Sequence, residues 1–209
     1  MNLSEYNRDQ IEAIQIVRHH LMAISSVDKE TLFKKIKPYL QFRKNVAGFQ
    51  EMHLGDICTE KCFTSQTSAC CNREGIAVFF ADVVVNSLIS SMAELDALEK
   101  ILIKDQGGFK CVYLMDKGCA WHLKPIVCEM FLCDHAKDKL SGKDVSLMAE
   151  WYGLRDQERQ YTWPDRPVLF DELEEVFLNA GINSPLMYFH KSPGLLRVKA
   201  KHIDNSNQT

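Results

Sequence analysis

Residues 111–133 read CVYLMDKGCAWHLKPIVCEMFLC, and the fold turns on what holds this segment together. It carries Cys111, Cys119, Cys128 and Cys133, half of the chain's eight cysteines, in the pattern Cys111-x7-Cys119-x8-Cys128-x4-Cys133. The other four lie just upstream as Cys58-x3-Cys62-x7-Cys70-Cys71. No cysteine occurs before position 58 or after 133. Cysteines used merely as small apolar fillers would scatter through the helices, so this confinement points to chemistry. Four plus four suits two tetrahedral thiolate sites, two cubane clusters, or one site with spare thiols. Vicinal Cys70 and Cys71 point in different directions and can serve different metals.

Spacing says thiolate metal site without saying which metal. Zinc knuckles use Cys-x2-Cys, which is absent here, as is the bacterial ferredoxin run. Four thiolates around Zn2+ or a 4Fe–4S core leave a double negative charge. Lys61, Arg73, Lys110, Lys117, Lys124 and Lys137 are interleaved with the cysteines and can offset it, although a single lysine is more often simply solvated.

Around this unit the chain reads as helix. Ile11, Ile14, Val17, Leu21 and Ile24 recur at three- and four-residue steps. A second helix is expected from near Asp28, carrying Leu32, Phe33, Ile36 and Leu40, bent or ended by Pro38. A loop is expected over 48–72, then a strand or a buried extended run over 76–80. Asp82 should cap one long helix lined by Val85, Leu88, Ile89, Met92, Leu95, Leu98, Ile101 and Leu102, ended by Gly107-Gly108. Residues 109–115 and 120–123 read as strands around an Asp116-Lys117-Gly118 turn, with a helical turn after Pro125. Helix resumes from about Asp144 through Trp151 and Leu154, and another opens near Pro167 and stops at Gly181.

The expected fold is therefore mainly α with a small β-hairpin, a helical scaffold around a loop-rich, metal-stabilised cysteine region. A single domain spans 1–209: N-terminal helices over 1–50, the cysteine region over 51–137, C-terminal helices over 138–203, and a disordered polar tail over 204–209. The formal charge of −3 lacks the basic excess of a nucleic-acid binder. No apolar run approaches a membrane span. The N-terminus has neither the basic start nor the apolar stretch of a signal peptide, which places the chain in a reducing cytoplasm, where cysteine-rich segments serve metal or redox chemistry.

The segment Cys111-x2-Leu114-x3-Gly118-Cys119-x5-Pro125-x2-Cys128-x2-Phe131-x-Cys133, preceded by Cys70-Cys71, resembles the YkgJ-type cysteine-cluster family. Members are described as zinc- or iron-chelating, or iron–sulfur-containing. The likeness covers residues 58 to about 135. It departs at His122, where the family has tyrosine, at Lys124, where it has arginine, and in the longer opening between Cys62 and Cys70. The resemblance implies that Cys58, Cys62, Cys70, Cys71, Cys111, Cys119, Cys128 and Cys133 are metal ligands. They would hold one or two iron–sulfur clusters of the 4Fe–4S kind, or alternatively Zn2+. His122 and His135 are ambiguous between ligand and packing roles. Flagellin lysine N-methylases of the FliB type carry a related region, but no Gly-rich adenosyl-methionine loop is visible here.

Three functions follow as expectations. One is a redox or cluster-handling iron–sulfur protein, and another a zinc-stabilised module presenting its helical flanks to a protein partner. The third is an enzyme, such as a FliB-like methylase. His53, Asp56, His122 and Asp134 are acid–base candidates near cysteines, yet their spacing demands no particular chemistry. The aromatics Trp151, Tyr152, Tyr161 and Trp163 can line a pocket, although packing is the commoner use.

Overall fold

The computed structural model of the chain describes residues 3–57, 60, 64, 77–104, 111–115, 118–143 and 145–206. It is mainly helical with one small hairpin, as the sequence leads one to expect. Helix α1 (Glu5–Ala23) is capped by Ser4, whose hydroxyl accepts from the Asn7 N–H at 3.1 Å. Its buried face is Asn7, Gln10, Ala13, Ile14, Val17 and Leu21. The lower half of that stripe is apolar as anticipated, while its first turns bury two amides.

Helix α2 (Ser26–Ile57) narrows one expectation and corrects another. Pro38 does not end it, and the loop foreseen from residue 48 is helical as far as Ile57. Proline inside a helix costs about 3 kcal/mol through a lost hydrogen bond and a ring clash. Here Pro38 lies on the exposed side, and Leu32, Ile36, Tyr39, Phe42, Val46, Phe49 and Leu54 bury one continuous stripe on both sides of it. Each such side chain contributes about 1.5–3 kcal/mol on burial. Packing outweighs the proline. Phe33, expected in the stripe, is exposed.

The single helix expected after Asp82 is two helices, α3 (Phe80–Ile89) and α4 (Met92–Ile103). Ser90-Ser91 breaks them because Ser91 and Glu94 form a reciprocal cap: Glu94 N–H donates to the serine hydroxyl and Ser91 N–H to the Glu94 carboxylate at 2.7 Å. The N-cap of α3 is Phe79, not Asp82. Asp82 sits one turn in and accepts the Phe79 N–H at 3.2 Å. The extended run before α3 is observed over 77–79, with Val78 buried, and Gly107-Gly108 lie outside the described residues.

The hairpin pairs β1 (Leu114–Met115) with β2 (Gly118–Cys119), antiparallel, Leu114 opposite Cys119. Its strands are shorter than expected. The second includes Cys119 and leaves 120–123 irregular, the Leu123 N–H and carbonyl bonding to the Asn86 side chain of α3 instead. Helix α5 (Ile126–Glu129) follows Pro125, and α6 (Asp134–Lys143), α7 (Val145–Thr162) and α8 (Leu169–Asn179) complete the middle of the chain. Helix resumes at Asp134, earlier than expected. Gly181, at φ 77, ends α8 with the Gly181 N–H on Leu178 and the Ile182 N–H on Phe177. A 3-10 turn (Phe189–Lys191) leads into α9 (Pro193–Ser206), so 204–206, expected in a disordered tail, are helical.

Helix α3 is the hub. Seven successive residues from Phe80 to Asn86 are buried, and α1, α2 and α8 pack around it. The buried apolar side chains form one cluster, whose aromatic centre joins Tyr39, Phe42, Phe79, Phe80, Phe170, Phe177 and Phe189 through edge and tilted contacts of 5.0–6.1 Å. No helix among the described residues is long and apolar enough to cross a membrane.

Candidate metal centre

Cys111 and Cys119 flank the hairpin. The Cys111 carbonyl accepts from the Leu114 N–H at 3.1 Å, and the register puts Cys119 opposite Leu114. Between them Tyr113 is buried, and its hydroxyl donates to Gln10 Oε1 of α1 at 3.1 Å. Burial and the charges of Tyr6, Cys111 and Cys119 push the Tyr113 hydroxyl well above its ordinary pKa. The buried amides of α1 explain themselves here: Gln10 receives Tyr113, and Asn7 donates to the Leu102 carbonyl at 2.8 Å. Trp121 stacks edge-on against Tyr113, ring centroids 5.3 Å apart. It is only 4% exposed, and its indole N–H has no acceptor among the described residues.

Cys128 lies on α5 and Cys133 immediately precedes α6, both half-buried. The segment between the hairpin and Cys128 has little regular structure of its own, and two helices clamp it. From α3, Asn86 donates to the Leu123 carbonyl and accepts the Leu123 N–H, both at 2.9 Å, while Asp82 accepts the Ile126 N–H at 3.1 Å. Burial pushes the Asp82 carboxyl up to about 6, against the opposing pull of Arg43. From α2, Arg43 donates through Nε to Glu129 at 2.7 Å, to the Tyr39 hydroxyl at 2.6 Å and to the Lys124 carbonyl. The Gln50 amide reaches the Glu129 carbonyl. Arg43 and Glu129 are 1% and 5% exposed. This is a fully buried ion pair one residue from Cys128.

Of the expected ligands, Cys58, Cys62, Cys70 and Cys71 lie outside the described residues, as do Lys61, Arg73, Lys110 and Lys117. Among the described residues no three of the His, Cys, Asp and Glu side chains gather as a metal-binding group. Of the charge-offsetting lysines, Lys124 contributes its carbonyl to Arg43, and Lys137 pairs with Asp134 on the exposed face of α6. His122 Nδ1 lies 2.9 Å from Glu94, and this contact with the Ser91 donors holds the Glu94 carboxyl down at about 2. His135 is exposed on α6. His53 packs on Phe49, with ring centroids 4.8 Å apart, and Asp56 pairs with Lys139 at 3.2 Å. None of these pairs joins an acid to a base beside a described cysteine sulfur.

The donor set nevertheless fits a thiophilic metal. A buried Cys111, a half-buried Cys119 on the same hairpin, an orphaned indole N–H two residues after Cys119 and a loop clamped from two helices suit a thiolate site, which needs ligands, hydrogen bonds to sulfur and a fixed backbone. Sequence reading missed Gln10, Arg43, Asp82, Asn86, Tyr113 and Trp121. A charged Arg43 in the middle of the α2 apolar stripe was the one visible signal. Compared with known proteins, the chain matches no family model, no curated protein and no solved structure.

Proposed function

We propose that the chain binds an iron–sulfur cluster on its cysteine thiolates and serves a redox or cluster-handling role in a reducing, cytoplasmic compartment. The observation that carries this reading is the hairpin register, which sets Cys119 opposite Leu114, three residues after Cys111, beside the buried Tyr113. A buried thiolate is costly unless a cation neutralises it, and a metal ion supplies that charge. The resemblance of residues 58 to about 135 to the YkgJ-type cysteine-cluster pattern points the same way. Cys58, Cys62, Cys70 and Cys71 complete the ligand set in this reading. A cluster of this kind supplies one-electron transfer, and its potential depends on burial and on hydrogen bonds to sulfur.

Serine in place of Cys119 tests the ligand assignment. Cys119→Ser protein, purified without oxygen, should carry no more than about half the iron and acid-labile sulfide of the parent, because a ligand thiolate is lost. Cys128→Ser should behave alike. Metal content unchanged in both would remove these residues from the site.

One observation favours the zinc-stabilised interaction module as a second reading. Val127, Phe131, Tyr152, Trp163 and Tyr188 are exposed large apolar side chains, and all line one groove of about 830 Å³ beside Cys128 and Cys133. Clustered exposed apolar surface of this sort marks interaction sites. Zinc in place of iron in anaerobically purified protein would favour this reading.

A further inference from the structure

Tyr113 and Trp121 meet beside the Cys111–Cys119 pair, and the two aromatic side chains differ in one respect. The Tyr113 hydroxyl has an acceptor in Gln10 Oε1 at 3.1 Å. The Trp121 N–H is committed to nothing among the described residues, although its side chain is buried. Indole nitrogen is a donor only, and native proteins seldom bury a donor without an acceptor. Trp121 follows Cys119 by two positions and packs edge-on at 5.3 Å against Tyr113, which stands two residues after Cys111 and next to Leu114, the register partner of Cys119. Sulfur bound to a metal keeps part of its negative charge and accepts N–H donors, and such contacts tune the site.

We propose that the Trp121 indole N–H donates a hydrogen bond to a metal-bound sulfur of the Cys111–Cys119 site, making Trp121 a positioning residue of that site. The proposal rests on the metal-binding reading above and goes further by assigning its hydrogen-bond donor. The donor acts through sulfur and touches no substrate.

The chain has three tryptophans, so its indole N–H resonances are few enough to follow individually. The experiment adds cadmium(II), a diamagnetic thiophilic probe, to reduced, metal-free, 15N-labelled full chain under anaerobic conditions. Ultraviolet thiolate-to-cadmium absorption reports binding. Trp151→Phe and Trp163→Phe assign two resonances and leave the third to Trp121, so the assignment does not depend on a Trp121 variant folding. The expected result is a downfield shift of the Trp121 N–H on cadmium binding, with Trp151 and Trp163 unmoved. Trp121→Phe, which keeps an aromatic side chain and loses the donor, should weaken cadmium binding about 10-fold or more, the usual effect of removing an outer partner of a metal ligand. Thiolate absorption with an unmoved Trp121 resonance overturns the proposal and leaves the metal reading standing. No thiolate absorption at all overturns both.

Discussion

Replacing Arg43 with methionine is expected to destabilise the protein by about 3–5 kcal/mol, the usual consequence of leaving one member of a buried ion pair alone. Glu129 would be left without its partner in a site 5% exposed, the Tyr39 hydroxyl would lose its donor, and the Lys124 carbonyl would lose its partner. Two buried groups and a partly buried carbonyl lose their guanidinium partner in one change. The double variant Arg43→Met with Glu129→Leu should recover most of the loss, because removing both charges avoids the unpaired carboxylate. Urea melts of the parent, the single and the double variant read both numbers. A single variant within about 1 kcal/mol of the parent would mean that the clamp between α2 and α5 does not hold the Cys128 segment.

A second large effect concerns pH. Glu174 on α8 is fully buried, and its Oε2 accepts the His190 N–H at 3.0 Å and faces His190 Nδ1 at 3.3 Å. Oε1 has no partner among the described residues. Burial pushes its pKa up to about 7, partly opposed by the backbone N–H groups of residues 188–190 and reinforced by Asp171. The folded protein thus holds this proton more tightly than the unfolded chain does. Stability from this group is complete below the unfolded value near 4.5 and is lost as pH rises through about 7. Between pH 5 and 8 the loss from Glu174 is about 2–3 kcal/mol. Asp82, raised in the same direction, adds to the slope. Glu174→Gln removes the ionisation and keeps an acceptor for His190, so its stability should fall less steeply over that range. Parallel profiles of parent and variant would show that Glu174 does not titrate across it.

The sequence made the helical faces legible because burial periodicity is local: Ile14, Val17 and Leu21 are buried on α1, and Leu32 and Ile36 on α2. The helix stop at Gly181 was equally visible, since its positive φ favours glycine. Pro38 misled because local propensity was judged without the stripe that continues past it. Ser90-Ser91 was overlooked because a cap made by Ser91 and Glu94 competes with an unbroken apolar pattern, and the cap won. At the candidate site, the grouping of the cysteines was plain in the sequence, whereas the side chains that brace their segment did not show. Arg43 meets Glu129 across 86 positions and Tyr113 meets Gln10 across 103, and no short-range pattern reports such pairings. His122 stood near the cysteines in sequence, yet in space its ring nitrogen is on Glu94 of α4.

The measurement that bears most directly on the proposed function is metal and sulfide analysis with an absorption spectrum on full-length protein purified without oxygen. The account predicts a brown protein containing iron and acid-labile sulfide, with visible sulfur-to-iron charge-transfer absorption that dithionite bleaches. A colourless, iron-free protein prepared in the same way would contradict it.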